Sequence, residues 1–364
     1  MNPKVTQSFL DEFLLVLRTP NPVYLYMVNS QHLQLSEEDA IALLNAWSFL
    51  EILKVQPTNQ GTVNTTFFVE TRAGKYVLKL YNDSITTAQI HYEHSLLAYL
   101  ELCNLSFVVP TPIPTSAGET LVTVKQDNSM LRVALLPFIA GNSSDRQNLT
   151  HTHAISQTLG ELHHALAGFD SQGKMAQLPA WGDLNHIHPL VTPLEVPKLL
   201  KLTLMQQQRV VKTLTEVIEA APNLYKILPV QTTHADYLSP NVLLVENRVV
   251  GVLDFEFATS DLRLMDYVAA LDHFTRFSGE APSLQFVKAF STGYAQHVCL
   301  SQLEVEALTL VWRLQQASCI VYWTGWLIEG KATHQSVVDA VARMLLLEDW
   351  LKENTDTLLS TAFH

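Results

Sequence analysis

The stretch Thr233-His234-Ala235-Asp236-Tyr237-Leu238-Ser239-Pro240-Asn241-Val242-Leu243-Leu244 decides how this chain is read. Its polar half is His-x-Asp with an Asn five residues after the Asp, and its apolar half reads as a strand. Val250, Val252 and Leu253 form a second apolar run, with Glu246-Asn247 in the turn region between them. This pattern predicts a β-hairpin. Asp254 follows directly in Leu253-Asp254-Phe255. A short loop would then set Asp236 and Asn241 on one side, and the hairpin would return Asp254 opposite them. The plain alternative is a loop whose polar residues cap neighbouring elements.

Working outward, strand formers gather upstream and helical periodicity dominates downstream. Phe67-Phe68-Val69 and Tyr76-Val77-Leu78-Lys79-Leu80 flank Ala73-Gly74 and predict another hairpin. Residues 86–102 predict a helix, with Ile90, Leu96, Leu97 and Leu100 near one face. Val108-Val109-Pro110-Thr111-Pro112 is extended, because each proline biases its predecessor away from helix. Strands are expected at 120–124 and 131–136, and Pro137-Phe138-Ile139-Ala140-Gly141 is the expected hinge. Beyond it, helices are expected at 150–168, 197–220, 302–328 and 334–353. The first fifty residues read as helical, with Ser36 as an N-cap and Asp39 in the first turn. The expected class is α+β in two lobes. Residues 51–137 form a β-rich lobe and 138–364 a helical lobe, after an N-terminal helical extension over 1–50.

Composition narrows the partners. A hydrophobic fraction of 48% and a charged fraction of 16% describe a folded chain with ample core. The net charge of −12 opposes a nucleic-acid surface. No run approaches the length needed to span a bilayer. Asp11 and Glu12 interrupt the early apolar stretch, so no signal peptide is expected. Cys103, Cys299 and Cys319 are too scattered for a disulfide framework and read as buried thiols of a reducing, cytoplasmic compartment. The 1–50 extension is a candidate homodimer interface.

The Asp236, Asn241 and Asp254 pattern suits phosphoryl transfer. That chemistry needs a carboxylate to orient a hydroxyl and take its proton, and oxygen ligands that hold Mg²⁺ against phosphates. It also needs a strand lysine for the α/β-phosphates and a helix carboxylate to pair with it. Lys79 lies in an otherwise apolar strand, and Glu93 sits fourteen residues on, in the 86–102 helix. An exposed strand edge and a solvated helix face are the bland readings of these two. Gly61 and Asn64, in Gln60-Gly61-Thr62-Val63-Asn64-Thr65-Thr66-Phe67, suggest a phosphate-covering loop. It carries one glycine where the three of Gly-x-Gly-x-x-Gly would be expected, and a plain hairpin turn reads nearly as well.

With these parts in order, the chain resembles the aminoglycoside phosphotransferase and choline kinase superfamily, of protein-kinase-like fold. The likeness spans about residues 50–275. It rests on Gly61 to Asn64, Gly74-Lys75-Tyr76-Val77-Leu78-Lys79, Val109-Pro110-Thr111-Pro112-Ile113 and Leu136-Pro137-Phe138-Ile139-Ala140-Gly141. Further along it rests on Gly160-Glu161-Leu162-His163, His234-Ala235-Asp236, and Leu253-Asp254-Phe255-Glu256-Phe257-Ala258 with Asp266 downstream. Within the superfamily the likeness is to homoserine kinases of that type.

The resemblance implies an ATP- and Mg²⁺-dependent kinase of a small hydroxyl acceptor. Asp236 would be the base, Asn241 and Asp254 the metal ligands, and Lys79 the phosphate contact oriented by Glu93. Asp266 would buttress the loop from a helix. A homoserine-like amino acid or amino alcohol is the favoured acceptor, with choline, ethanolamine or an aminoglycoside as the alternative. Ala235 replaces the Arg of protein kinases and Glu256 the Gly of Asp-Phe-Gly, which argues against a protein substrate. A nucleotide-binding protein without transfer fits less well, since every catalytic position is filled.

Other signals carry less. His151/His153 and His186/His188 lack companions at metal-ligand spacing and read as loop histidines, the second pair bordering the acceptor region. Glu161 and His163 read as packing or solvent contacts. Trp312, Trp323 and Trp326 read as core, with an aromatic wall beside a cationic acceptor as the alternative.

Overall fold

The computed structural model describes residues 36–58, 64–126, 129–176, 178–277 and 280–362. Gly61 and most of the 1–50 extension lie outside the described residues. Of that extension, Glu37–Leu44 is helix α1, opened by the expected cap. The Ser36 side chain accepts from the Asp39 N–H, and Asp39 accepts from the Ser36 backbone in return.

An antiparallel sheet follows, built from β1 (Ile52–Pro57), β2 (Thr65–Thr71), β3 (Lys75–Tyr81), β4 (Val122–Gln126) and β5 (Ser129–Pro137) in the order β1-β2-β3-β5-β4. Period-two alternation gives the sheet two different faces. Leu78 and Leu80 of β3 join Phe67, Val69, Val133 and Leu135 in a core closed by Ala40, Leu44 and Trp47 from around α1. Lys79 and Tyr81 point the other way, toward α2 (Thr87–Glu101) and the cleft. The lysine is therefore buried by its register and not by accident. α2 starts on a Thr86–Gln89 capping box and buries Ile90, Leu96, Leu97 and Leu100, as its periodicity predicts.

The chain leaves β5 at Pro137 and enters a short strand β6 (Asn142–Ser143) that pairs with Leu243 and Leu244. Gly141 lies so close to Leu243 and Val250 that a Cβ would meet Leu243 Cβ at 2.9 Å. That crossing needs glycine for space.

The remainder is mostly helical around one large apolar core. It contains α3 (Leu149–Leu166), α4 (Val196–Leu199), α5 (Leu204–Ile227), α6 (Arg263–Thr275), α7 (Leu284–Tyr294), α8 (Gln302–Ile328) and α9 (His334–Ala362). The single helix expected at 197–220 is two helices. A capping box from Thr203 to Gln206 restarts the helix after Leu200, and α5 then runs on through Pro222 to Ile227. α6, buried nearly all round, and α7 fall outside the helices expected from the sequence. The cysteines also differ from expectation. Cys299 is exposed and the other two are half-buried, and all three are free thiols.

Between α5 and α6 lie the strands that carry the quoted stretch. β7 (Val230–Thr233) pairs antiparallel with β10 (Thr259–Leu262), and β8 (Val242–Val245) with β9 (Arg248–Val252). Among the described residues no helix is long and apolar enough to cross a membrane.

Candidate active site

The β7–β10 pair clamps both ends of one excursion, with Thr233 opposite Thr259. Within it the β8–β9 hairpin sets Val242 opposite Val252, so Asn241 and Leu253 are neighbours, and the Leu253 N–H donates to the Asn241 carbonyl at 2.8 Å. Asp254 is the next residue. This register brings the loop 234–241 and Asp254 to the same wall of a cavity of about 660 Å³ between the sheet and the helices. Asp236, Asn241, Asp254, Lys79, Glu93 and Asn64 all line it. Every described residue expected at the site is thus gathered there.

The loop is tightly organised. The Asn241 side-chain amide donates to the Asp236 carbonyl at 2.9 Å and to its carboxylate at 2.7 Å, which fixes that carboxylate's orientation. Ala235 and Asp254 both adopt the left-handed region, at φ 62° and 63°, an uncommon and strained choice for residues with a Cβ. Asp266, in the first turn of α6, holds the first of these. Its two carboxylate oxygens accept the N–H groups of His234 and Ala235 at 2.9 and 3.0 Å. His163 of α3 supports Asp266 at 2.9 Å and is itself bonded to the Tyr294 hydroxyl at 2.8 Å. Burial, the largest single influence, would raise the Asp266 carboxyl, but the hydrogen bonds and charges of His163 and His234 together outweigh it and hold the group below its ordinary range. On the other side, the His234 ring bonds the Leu253 carbonyl at 2.9 Å, tying the loop to the residue before Asp254. His163 is thus a link in the support of this loop, where the sequence reading had packing or solvent. Glu161 instead accepts from the Ser106 N–H at 2.7 Å.

Lys79 stands among three carboxylates. Its ammonium is 3.1 Å from Glu93, 3.3 Å from Glu256 and 3.5 Å from Asp254. Burial would lower its pKa, yet Glu93 and then Glu256 hold it well above the ordinary lysine value. Burial and the neighbouring Asp254 push the Glu256 carboxyl up to about 7. The Asn64 amide donates to Glu256 while its oxygen accepts the Asn82 N–H at 3.0 Å. Glu256, read in sequence as a departure from Asp-Phe-Gly, is a full member of this cluster.

One ammonium does not balance three carboxylates, so the donor set leaves room for a further cation. It suits a hard divalent ion, which takes one or two carboxylates and completes its shell with phosphate oxygens. Asn241 spends its amide hydrogens on Asp236, which leaves its amide oxygen as the atom able to ligate. Among the described residues no group of three or more His, Cys, Asp or Glu is arranged to hold a metal ion.

The opposite end of the cavity is lined from α6, α8 and α9. Trp323 and Trp326 face it beside Tyr322, whereas Trp312 is core and donates to Asp272 at 3.0 Å. Trp181 closes on Tyr322 with ring centroids 5.1 Å apart. His188 packs beneath this wall against Tyr322 and Gly325. Asp272 is bound by Arg276 at 2.7 Å and by Arg343 at 2.8 Å.

The sequence profile of the phosphotransferase enzyme family matches residues 54–297. The chain belongs to that family. A homoserine kinase from Caulobacter vibrioides is 25% identical over 283 residues, covering 77% of this chain and 84% of its own. Among solved structures, an amicoumacin kinase in complex with AMP-PNP and Ca²⁺ superposes with a TM-score of 0.64 at 15% identity, covering 90% of this chain and 96% of its own. A microcompartment-associated aminopropanol kinase has a TM-score of 0.58 at 15% identity, covering 90% and 98%. The fold is kinase-like, and the chain is a small-molecule kinase.

Proposed function

We propose that this phosphotransferase moves the γ-phosphoryl group of ATP, with Mg²⁺, to the hydroxyl of a small amine-bearing acceptor, homoserine foremost. The observation that carries this reading is the convergence of Asp236, Asn241, Asp254 and the Lys79–Glu93 pair on one cavity. Asp236 orients the acceptor hydroxyl and takes its proton, its carboxylate held in place by Asn241. Lys79, oriented by Glu93, meets the α/β-phosphates, and Asn64 lies where it can approach them from the sheet side. The Asn241 amide oxygen and Asp254 would hold Mg²⁺, which when bound neutralises charge on the transferring phosphoryl group. The loop geometry fixed by Asp266 and His163 keeps these groups in register.

Homoserine is favoured by the relative named as a homoserine kinase. A second reading, a choline- or ethanolamine-type kinase, draws on one observation. Tyr322, Trp323 and Trp326 form an aromatic wall of the kind that suits a cationic head group. The test is turnover of ATP by purified protein with Mg²⁺ and a panel of homoserine, choline, ethanolamine and an aminoglycoside. Homoserine is expected to be phosphorylated, and turnover of choline alone would overturn that assignment. Asp236→Asn is expected to lower kcat by roughly 10²–10⁴-fold while leaving the affinity for ATP near that of the parent. Unchanged turnover would remove Asp236 from its role.

A further inference from the structure

At the far end of the cavity, positive charge is in excess. Arg146, Arg276 and Arg343 approach one another from the segment after β6, from the residue that caps the end of α6, and from α9. The Arg276 guanidinium donates to Asp272 through Nη1 and to the Arg343 carbonyl through Nη2, at 2.7 and 2.9 Å. Arg146 donates to the carbonyls of His273 and Arg276. Asp272 is the one carboxylate among the described residues that is ion-paired with Arg276 or Arg343, and Arg146 is ion-paired with none. Three guanidinium groups therefore share one carboxylate, in a chain whose net charge is −12.

These groups are not equivalent. Arg276 is 1% exposed at its side chain and spends its donors on protein. Arg343 is 20% exposed, lines the cavity, and gives only Nη2 to Asp272. Gln316, Cys319 and Ser336 line the same cavity. The other charged or titratable groups nearby are His273, Cys319 and Asp236. Burial and then the Arg146 charge hold the His273 ring well below its ordinary value, so it stays neutral. Burial pushes the Cys319 thiol up to about 12, so it too is neutral, and it feels Asp272, Arg343 and Asp236 together. Asp236, Cys319 and Arg343 all line this one cavity.

We infer that Arg343 is the specificity-determining residue of the acceptor end, docking a carboxylate of the acceptor whose hydroxyl lies at Asp236. The planar guanidinium offers parallel N–H donors that match a carboxylate, and the surplus charge held behind it by Arg146 and Arg276 favours an anion over a cation there. The acceptor class is then a hydroxy acid or hydroxy amino acid, not a simple amino alcohol. This inference rests on the reading of the cavity as a hydroxyl-acceptor site.

Three probes separate the parts: L-homoserine, its analogue without the ammonium (4-hydroxybutanoate), and its analogue without the carboxylate (3-aminopropan-1-ol). Their equilibrium binding is measured calorimetrically with a non-hydrolysable ATP analogue and Mg²⁺ present, and their turnover is measured separately with ATP. The parent protein is expected to bind both carboxylates at least ten-fold more tightly than 3-aminopropan-1-ol. Arg343→Gln is expected to erase that preference with nucleotide affinity unchanged. Arg343→Lys keeps the charge beside Asp272 and serves if the Gln variant does not fold, and it should lose at least part of the preference because an ammonium is not a planar fork. Carboxylate binding that depends on Arg343 but leads to no transfer would support the anion site and overturn the kinase acceptor reading. Transfer to 3-aminopropan-1-ol as good as to homoserine, or a preference untouched by both variants, would overturn the inference and leave the kinase reading standing. Absence of both binding and transfer for all three probes would overturn both.

Discussion

The two ends of the cavity have opposite charge arithmetic. At the sheet end one ammonium, Lys79, meets three carboxylates, Glu93, Asp254 and Glu256. At the helical end three guanidiniums, Arg146, Arg276 and Arg343, gather about one carboxylate, Asp272. Each end is short of the charge its ligand would bring. On the proposed reading the sheet end lacks a cation, which a divalent ion arriving with nucleotide would supply. On the same reading the helical end lacks an anion, which the acceptor would supply. Burying unbalanced charge costs free energy, so the two ends would favour ligands of opposite sign.

Breaking the sheet end should give the largest effect. Lys79→Met removes the one cation in that cluster while keeping the length of the side chain. Glu93 then stays buried without its partner, at a cost of about 3–5 kcal/mol typical of a broken buried pair. Glu256 can soften the loss by taking up a proton, since its carboxyl already sits at about 7. Urea unfolding would measure the loss, and thermal shift with ATP and Mg²⁺ should show no ligand stabilisation in the variant. A variant as stable as the parent would mean that Lys79 does not balance the cluster.

The helical end should respond more mildly, and with a pH signature of its own. Burial would raise the Asp272 carboxyl, but Arg276 and Arg343 bring it from the ordinary 3.8 down to about 2. A depressed folded value means stability that is fully present above pH 4 and lost as pH falls through 2. Asp272→Asn should therefore cost about 2 kcal/mol at neutral pH. The gap between variant and parent should close as both are titrated from pH 4 to pH 2. Denaturant unfolding across that range checks it, and a gap that does not change with pH would show that Asp272 is not the carboxylate that tames the arginines.

The difference between the ends also explains what the sequence could reveal. Lys79 and Glu93 lie fourteen residues apart in a strand and the next helix, and a polar residue in an apolar strand invites a question. The loop 234–241 and Asp254 are spaced by one hairpin, so register alone predicts that they meet. Asp272 and Arg276 are an i, i+4 pair on one helix and were legible in principle. Arg343 reaches Asp272 across 71 residues and a helix turn-around, and Arg146 reaches Arg276 across 130. No local pattern marks either. The same holds for His163, whose role depends on Asp266 from a helix 103 residues away. Trp323 and Trp326 share their spacing with core residues, and only the position of α8 at the cavity edge separates them from Trp312.

The smallest effect is a coupling, and it concerns a bent residue of the loop 234–241. Ala235 is held at φ 62° by N–H bonds that run from it and from His234 to the two oxygens of Asp266. The left-handed conformation costs an alanine about 1 kcal/mol, and a glycine nothing. Ala235→Gly should therefore change stability by less than about 1 kcal/mol in the parent, because relief of strain is offset by the added freedom of the unfolded chain. If Asp266 is what imposes the conformation, removing it by Asp266→Ala lets Ala235 relax, and the strain relief from glycine disappears. Only the entropic cost of glycine then remains. The four proteins of the cycle, unfolded in urea at one pH, should show a coupling of about 1 kcal/mol between the two positions. Equal effects of Ala235→Gly with and without Asp266 would mean that the backbone is bent there for another reason. The carboxylate would then be a satisfied acceptor that follows the loop without setting it.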